Sequence, residues 1–403
     1  MKHLKAENKQ IATYIAFILI PISGLAMDIY VPSFPHMAKE LGVTNDLVRL
    51  TLTVFLISYG LSQLFLGSLV DSFGRYKTGL IALIIFTLSN FLIAIINDIH
   101  LILAIRILQG MVISVIMIAK RSFFVDIYSG EQRKHYTSLL SVVWSAAPIL
   151  APFLGGYLQD IFGWRANFVF LGIYGVVMVL LEWLYGGETI LQRVPWNLKT
   201  ILGNYGRFMS RKDFTPGVVI IGFSYSMSIV FGMSAPFLIE KTFGHSAVTT
   251  GYCALASGIS LLLGGLLAKR LIQRKMFPKL WTATMIQLLL ALIMYTSASV
   301  YTSLLSMMCF VAGMHFLMGF VYNIYFTHCL TSFPENAGAA GGFTSGGGYL
   351  VTAATSYVVV NAIHMEGQQS LAAGYITIIL LIAGVLLLVK RILSPAQLYR
   401  LDG

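Results

Sequence analysis

The sequence predicts an all-α integral membrane protein of twelve transmembrane helices in two six-helix bundles. Three observations carry this reading. Hydrophobic residues make up 57% of the chain, whereas Asp, Glu, Lys and Arg supply only 11%, about half the charged share of a water-soluble domain. Apolar runs of about 20 residues, enough to cross a bilayer, recur from end to end with short polar breaks between them. The cations fall on alternate breaks, as they do when loops lie alternately on the two sides of a membrane.

The first run, 11–33, is too long for the apolar core of a signal peptide and is followed by no small-residue cleavage site, so it reads as a retained helix. Spans two to four cover 47–70, 77–96 and 101–124; span five, 136–160, carries two prolines, and span six is 166–185. The largest polar interruption, 186–213, contains five cations and Pro195. It divides an N-terminal bundle, 1–185, from a C-terminal bundle, 214–403. Spans seven to twelve are 214–239, 247–268, 280–298, 302–328, 338–362 and 371–391. Two bundles of six spans outline a transporter whose halves rock about a site near the midplane.

Twelve spans put both termini on one face, and the positive-inside rule makes that face cytoplasmic. Of 27 Lys and Arg, only Lys39, Arg49, Arg165 and Lys241 fall in loops on the other face, with Arg106 inside a span. Topology thus accounts for the net charge of +11. A nucleic-acid binder would gather its cations around an aromatic platform or a known module, and none is present. Cys253, Cys309 and Cys329 lack the paired spacing of a metal or redox site and are expected to be buried free thiols.

Glycines gather at Gly155 and Gly156, at Gly264 and Gly265, and from Gly338 to Gly348, where they allow helices to approach closely in lipid. The run Gly341 to Gly348 lacks the Gly-Lys-Ser/Thr ending of a phosphate loop, so ATP is not the energy source within this chain. Ionisable residues inside spans are costly and mark function. Asp28 in span one and Arg106 in span four are the leading pair. Counting from Ile11, Asp28 lies about 25 Å along its helix, in the outer half of the bilayer, and Arg106 lies about 7 Å below the outer end of span four, at similar depth. A carboxylate withdrawn from water holds its proton more tightly, while a nearby Arg favours release, so a movement that changes their separation can bind or free a proton. Alternatively, Asp28 ends its helix in water before Pro32, and Arg106 snorkels to the outer surface.

Several stretches resemble the major facilitator superfamily. The loop after span two reads Gly67-Ser-Leu-Val-Asp71-Ser-Phe-Gly74-Arg75-Tyr-Lys77, and span four carries Arg106-Ile-Leu-Gln109-Gly110. Span five, Ala147-Pro148-Ile-Leu-Ala-Pro152-Phe-Leu-Gly155-Gly156 with Gly163-Trp164-Arg165 after it, resembles the antiporter motif of bicyclomycin and chloramphenicol resistance (Bcr/CflA-type) exporters. Span one, Asp28-Ile-Tyr30-Val-Pro32-Ser-Phe-Pro35, is similar to the first helix of that subgroup. These motifs cover about the first 165 residues. The second half offers only Pro334-Glu335-Asn336-Ala337-Gly338 before span eleven.

The resemblance implies a major facilitator fold and a proton-coupled exporter of small amphipathic compounds or drugs, working by alternating access. A dedicated transporter of one metabolite, such as a siderophore, sugar or amino acid derivative, is the alternative. Its partners would be the substrate, protons and the lipid bilayer; it would be a monomer in a bacterial inner membrane, with no cofactor or metal and no enzymatic activity. Gly67 would let span eleven approach, Asp71 would sit at a helix N-terminus, and Arg75 and Lys77 would latch the cytoplasmic side by pairing with carboxylates or carbonyls. Pro148 and Pro152 are expected to bend span five while Gly155 and Gly156 allow a close crossing; in similar exporters this motif seals the pathway against leak. Ser72 and Tyr76 stand where related loops often carry Arg, and Ala147 where Gly is common. Lys120, Arg121 and Asp126, and likewise Glu182, read as interfacial charges. Tyr30, Tyr59, Gln63, Trp144, Tyr225, Met233, Tyr322, Asn323 and Tyr325 are candidates for an amphipathic substrate pocket. His315 either lines that cavity or is a satisfied core histidine.

Overall fold

The computed structural model describes residues 2–190, 193 and 196–393, apart from the side chains at 141, 142, 144, 145, 334 and 337. The chain divides into two compact units, Met1–Lys199 and Thr200–Gly403. In the first, the opening segment is one helical span, Ala6–Leu41, which contains the expected 11–33 and is irregular at two places. It consists of α1 (Lys9–Leu19), α2 (Ile22–Asp28), a 3₁₀ turn at Val31–Ser33, and α3 (Phe34–Leu41). Pro21 immediately precedes α2, and Pro32 and Pro35 are the second residues of the 3₁₀ turn and of α3. Proline donates no N–H, so each removes one helical hydrogen bond and loosens the helix there without ending the span. Asp28 is the last residue before the second irregularity.

The remaining helices start where the sequence supplies caps. The hydroxyl of Thr44 accepts a hydrogen bond from Leu47 N (3.4 Å) at the head of α4 (Asn45–Phe73). After α5 (Arg75–Ile95), the Asp98 carboxylate accepts from His100 N (2.7 Å) to begin α6 (Ile99–Ile127). Then come α7 (Gly130–Phe162), continuous through Pro148 and Pro152, and α8 (Arg165–Tyr185). Helix α4 packs on α6, α5 packs against both α6 and α8, and α7 runs along α2.

A short helix, α9 (Leu198–Met209), lies inside the stretch read as a linker. Ile201, Tyr205 and Phe208 share one of its faces at helical spacing, and Phe208 is buried against Phe214, Phe333 and Phe343 at 4.6–6.0 Å between ring centroids. The second unit continues with α10 (Phe214–Phe237), which passes Pro236 into a π-helical turn at Leu238–Thr242. It is completed by α11 (Ala247–Arg270), α12 (Met276–Ser297), α13 (Leu304–Thr331), α14 (Ala337–Ile363) and α15 (Gln368–Ile392). Here α11 packs on α13, α10 on α14, and α12 on both α13 and α15.

Among the described residues, ten helical segments are long and apolar enough to cross a membrane. Helices α7 and α14 occupy the places expected of spans five and eleven. Cys253 and Cys329 are buried as expected, but Cys309 is exposed. It lies on the outer side of α13, near exposed Leu305, where lipid replaces the protein core as an apolar environment.

Helix packing in lipid depends on close fit, and α11 and α13 achieve it through glycine. A Cβ built on Gly264 would lie 1.7 Å from the carbonyl oxygen of Phe316, and one on Gly319 would lie 2.1 Å from that of Leu261. The two backbones therefore touch directly. Gly264→Val should lower stability by about 3 kcal/mol, read as a reduced melting temperature of the detergent-purified protein. Gly384→Val, where the Cβ position is open, should melt like the unmodified chain.

Candidate functional site

Arg106 is fully buried in the first unit. Its Nη1 donates to the Ala26 carbonyl (3.1 Å) and to Gln109 Oε1 (2.7 Å), and Gln109 Nε2 donates in turn to Ser89 Oγ (3.0 Å). The guanidinium lies between aromatic faces, 4.6 Å from the ring centroid of Tyr30 and 4.3 Å from that of Phe55, where the ring quadrupoles attract it. Tyr30 is fixed by Thr51, hydroxyl to hydroxyl, at 3.0 Å. Asp28 Oδ2 is also buried. Arg106 and Asp28 interact electrostatically. Tyr30 interacts with the guanidinium more strongly than Asp28 does and also hydrogen-bonds to it. Arg106 thus holds an aromatic hydroxyl and a carboxylate in one low-water environment, where a proton or a ligand that engages either one changes the balance between them. Arg106 does not snorkel, and Asp28 does not end its helix in open water.

The antiporter-motif segment packs directly on the helix that carries Asp28. A Cβ on Gly155 would fall 1.6 Å from the carbonyl oxygen of Ile29, so only glycine permits this crossing. Seven residues earlier in α7, Ala147 and Pro148 meet Gly24 of α2, where a Cβ would come within 2.7 Å of Ala147 Cβ. The departure at Ala147 is therefore matched by glycine on the opposing helix. Pro152 and Gly156 are buried in the same helix. Below the crossing, Asn167 of α8 donates to Ser33 Oγ (2.9 Å), and Glu40 of α3 binds Trp164 Nε1 (2.7 Å) and pairs with Arg165. Tyr59 and Gln63 continue the Phe55 face of α4 at four-residue steps, and both are buried. Trp144 lies in α7, but its side chain is outside the described residues.

A second charged cluster surrounds the turn between α4 and α5. Gly74 (φ +103°) makes the turn. Arg75 binds Asp71 at 2.8 Å through Nε and Nη2, pairs with Asp126, and reaches the Ser122 carbonyl at 3.5 Å. Asp71 does not sit at a helix N-terminus as expected. Helix α4 continues to Phe73, leaving Asp71 in its last turn, where the dipole disfavours an anion and Arg75 compensates. The anion at the N-terminus of α5 is Glu188, which accepts from Arg75 N (3.1 Å) and Tyr76 N (3.2 Å). Asp126 and Glu182 are more than interfacial charges: Asp126 joins this cluster, and Glu182 is buried in an ion pair with Lys120. Lys77 is exposed and makes no ion pair among the described residues. Within the first unit, a Cβ on Gly67 would meet nothing within 4 Å.

In the second unit, Tyr225 stands 6.0 Å from the rings of both Tyr322 and Tyr349, and Tyr322 stacks on Phe326 at 5.5 Å. Tyr349 and Phe326 were not singled out from the sequence, although both lie one helical turn from small or aromatic residues on the same helix. Met233 and Tyr325 are buried. Asn323 Nδ2 donates back to the Gly319 carbonyl (2.9 Å) and so does not join the tyrosines. His315 is a satisfied core histidine: Nδ1 lies 2.5 Å from Ser257 Oγ, Nε2 lies 3.0 Å from the Tyr375 hydroxyl, and the ring packs on Phe231. Before α10, Arg211 grips Asp213 through two 2.8 Å bonds and donates to the Ser332 carbonyl (2.7 Å). Burial would raise the Asp213 carboxyl, but hydrogen bonds from His328 and Arg211 and the Arg211 charge outweigh it, holding it well below the usual carboxylate range.

The family model of the Major Facilitator Superfamily matches residues 16–356. The chain is 30% identical over 275 residues to the uncharacterized MFS-type transporter YdgK of Bacillus subtilis, covering 67% of this chain and 68% of that protein. It is 26% identical over 291 residues to a bicyclomycin resistance protein homolog of Haemophilus influenzae, covering 71% and 72%. It is also 26% identical over 340 residues to multidrug resistance protein D of Escherichia coli, covering 82% and 83%. Among solved structures, a bacterial homolog of the human lysosomal transporter Spinster, in an inward-facing and unoccupied conformation, superposes with a TM-score of 0.75 at 15% identity, over 97% of this chain and 100% of that one. With its apolar helices, the motif turn after α4 and the antiporter-like crossing of α7 on α2, the chain is a multi-pass membrane protein that belongs to the Major Facilitator Superfamily.

Proposed function

We propose that the chain is a proton-coupled exporter of small amphipathic compounds, among them antibiotics of the kind named in its bicyclomycin- and chloramphenicol-resistance relatives. The observation that carries the proposal is the electrostatic interaction of Asp28 with the fully buried Arg106 inside one unit. Proton uptake neutralises Asp28 when Arg106 is drawn elsewhere. Return of the guanidinium displaces the proton. Because Arg106 keeps its charge at any working pH, it supplies the constant field against which Asp28 titrates.

Substrate and proton then compete for the same space. Tyr30 and Phe55 enclose the Arg106 guanidinium, with Tyr59 and Gln63 continuing the same face of α4, so a compound that displaces any of them alters the pair, and the tyrosines of the second unit form an amphipathic surface of their own. The contact of Gly155 with the Ile29 carbonyl passes movements of α7 to Asp28. The Arg75 cluster is the latch on the side bearing the termini, and the distribution of Lys and Arg makes that side cytoplasmic. The protein works as a monomer in the inner membrane of a bacterium.

Proteoliposomes with an imposed pH gradient test this reading. Asp28→Asn should insert and melt as the unmodified protein does, while gradient-driven efflux falls to the level of empty vesicles; full efflux would remove Asp28 from the mechanism. Gly155→Ala should reduce efflux about tenfold and shift its pH dependence, since the added methyl must displace the Ile29 carbonyl. An unchanged pH profile would separate the crossing from the proton site. Arg75→Ala should lower turnover about tenfold, the effect of about 1.4 kcal/mol, and leave the order of preferred substrates as it was.

A further inference from the structure

The segment leaving α8 is tied to the latch in a way the motif alone does not reveal. Glu188 is only 3% exposed. Its carboxylate accepts four backbone N–H groups: those of Arg75 and Tyr76 at 3.1 and 3.2 Å, and those of Thr189 and Ile190 at 3.2 Å each. A carboxylate suits this place, because the first amides of α5 have no partners within the helix and its dipole is positive there. The next residue completes the grip: Thr189 Oγ1 donates to Asp126 Oδ2 (2.7 Å), the carboxylate that pairs with the Arg75 side chain. Two successive residues therefore hold Arg75 from its main chain and, through Asp126, from its guanidinium.

The same segment is sewn to residues 2–4. Glu188 N donates to the Lys2 carbonyl (2.8 Å) and Leu4 N to the Glu188 carbonyl (3.2 Å), a parallel bridge centred on His3. Lys2 Nζ caps the end of α8 at the carbonyls of Trp183 and Leu184, and the Tyr76 hydroxyl donates to the Glu182 carbonyl (3.2 Å). Residues 2–4 thus meet the Glu188 main chain and the start of α5 meets its side chain, while Lys2 and Tyr76 tie both to the end of α8.

We propose that Glu188 is a positioning residue for the latch, setting the Gly74–Arg75 turn so that Arg75 can reach Asp71 and Asp126, and coupling that turn to the segment that leaves the first unit. This rests on the reading of the Arg75 cluster as a latch. Glu188 touches neither substrate nor the Asp28 and Arg106 pair, so its loss acts on the rate of the cycle and not on recognition.

Glu188→Ala and the isosteric Glu188→Gln, purified full-length and reconstituted, test the proposal with two readouts. In hydrogen exchange, the amides of Arg75 and Tyr76 should exchange about tenfold faster in Glu188→Ala, having lost their charge-assisted acceptor, and those of Lys77 and Thr78 should follow as the first turn of α5 loosens. In efflux, its maximal rate should fall about tenfold with KM within about twofold, and Glu188→Gln, which retains one acceptor oxygen, should recover part of both effects. Unchanged exchange at 75–78, or faster exchange with an unchanged maximal rate, in either variant would overturn the proposal. Should Glu188→Ala fail to fold, Glu188→Gln alone decides between these outcomes. Failure of the latch reading itself is distinguishable, because Arg75→Ala would then transport at the unmodified rate whatever Glu188 does.

Discussion

A guanidinium that cannot lose its charge, enclosed by protein where water is scarce, is the constraint around which the first unit is organised. Arg106 draws on the Ala26 carbonyl, on Gln109 and through it Ser89, and on the faces of Tyr30 and Phe55. These partners come from four different helical segments, so the position of one cation fixes their mutual arrangement. A charge held this deep is costly and marks function. The second unit shows the opposite solution. His315 has both ring nitrogens engaged and serves as a polar rivet between α11, α13 and α15.

Much of this was legible in the residues. Span positions followed from apolar length, since the bilayer imposes a length on each helix, and the observed helices begin and end within a few residues of expectation, except that the opening helix runs on to Leu41 and α7 starts already at Gly130. Asp28 and Arg106 stood out because charge inside an apolar run is improbable without a role. What was not legible depends on contacts distant in sequence. Glu188 looked like an ordinary loop carboxylate, and nothing in its neighbours signals that it caps a helix starting 113 residues earlier. Asp71 was misplaced because motif spacing does not say whether a helix stops before or after it. The irregular turns of the opening segment could have been anticipated from Pro21, Pro32 and Pro35, and helix α9 from the spacing of Ile201, Tyr205 and Phe208.

The ionic clusters are managed by two different rules. Near Arg75 the charges are numerous, partly exposed and mutually compensating, so individual bonds can break while neighbours hold. Near Arg106 they are few and enclosed, so any rearrangement must be concerted. A transport cycle needs both behaviours: a surface fastening that opens readily and an interior pair that changes state only when something takes its place.

The prolines on either side of α2 have a mechanical meaning. They remove hydrogen bonds from the opening helix at either end of α2, so its seven residues yield more readily than the turns around them to what leans on them, chiefly α7. Small changes in side-chain bulk along that face of α7 would swivel α2 like a short crank and carry the carboxylate at its end nearer to or farther from its cation. Descendants of this chain could thereby retune proton affinity without touching either charged residue.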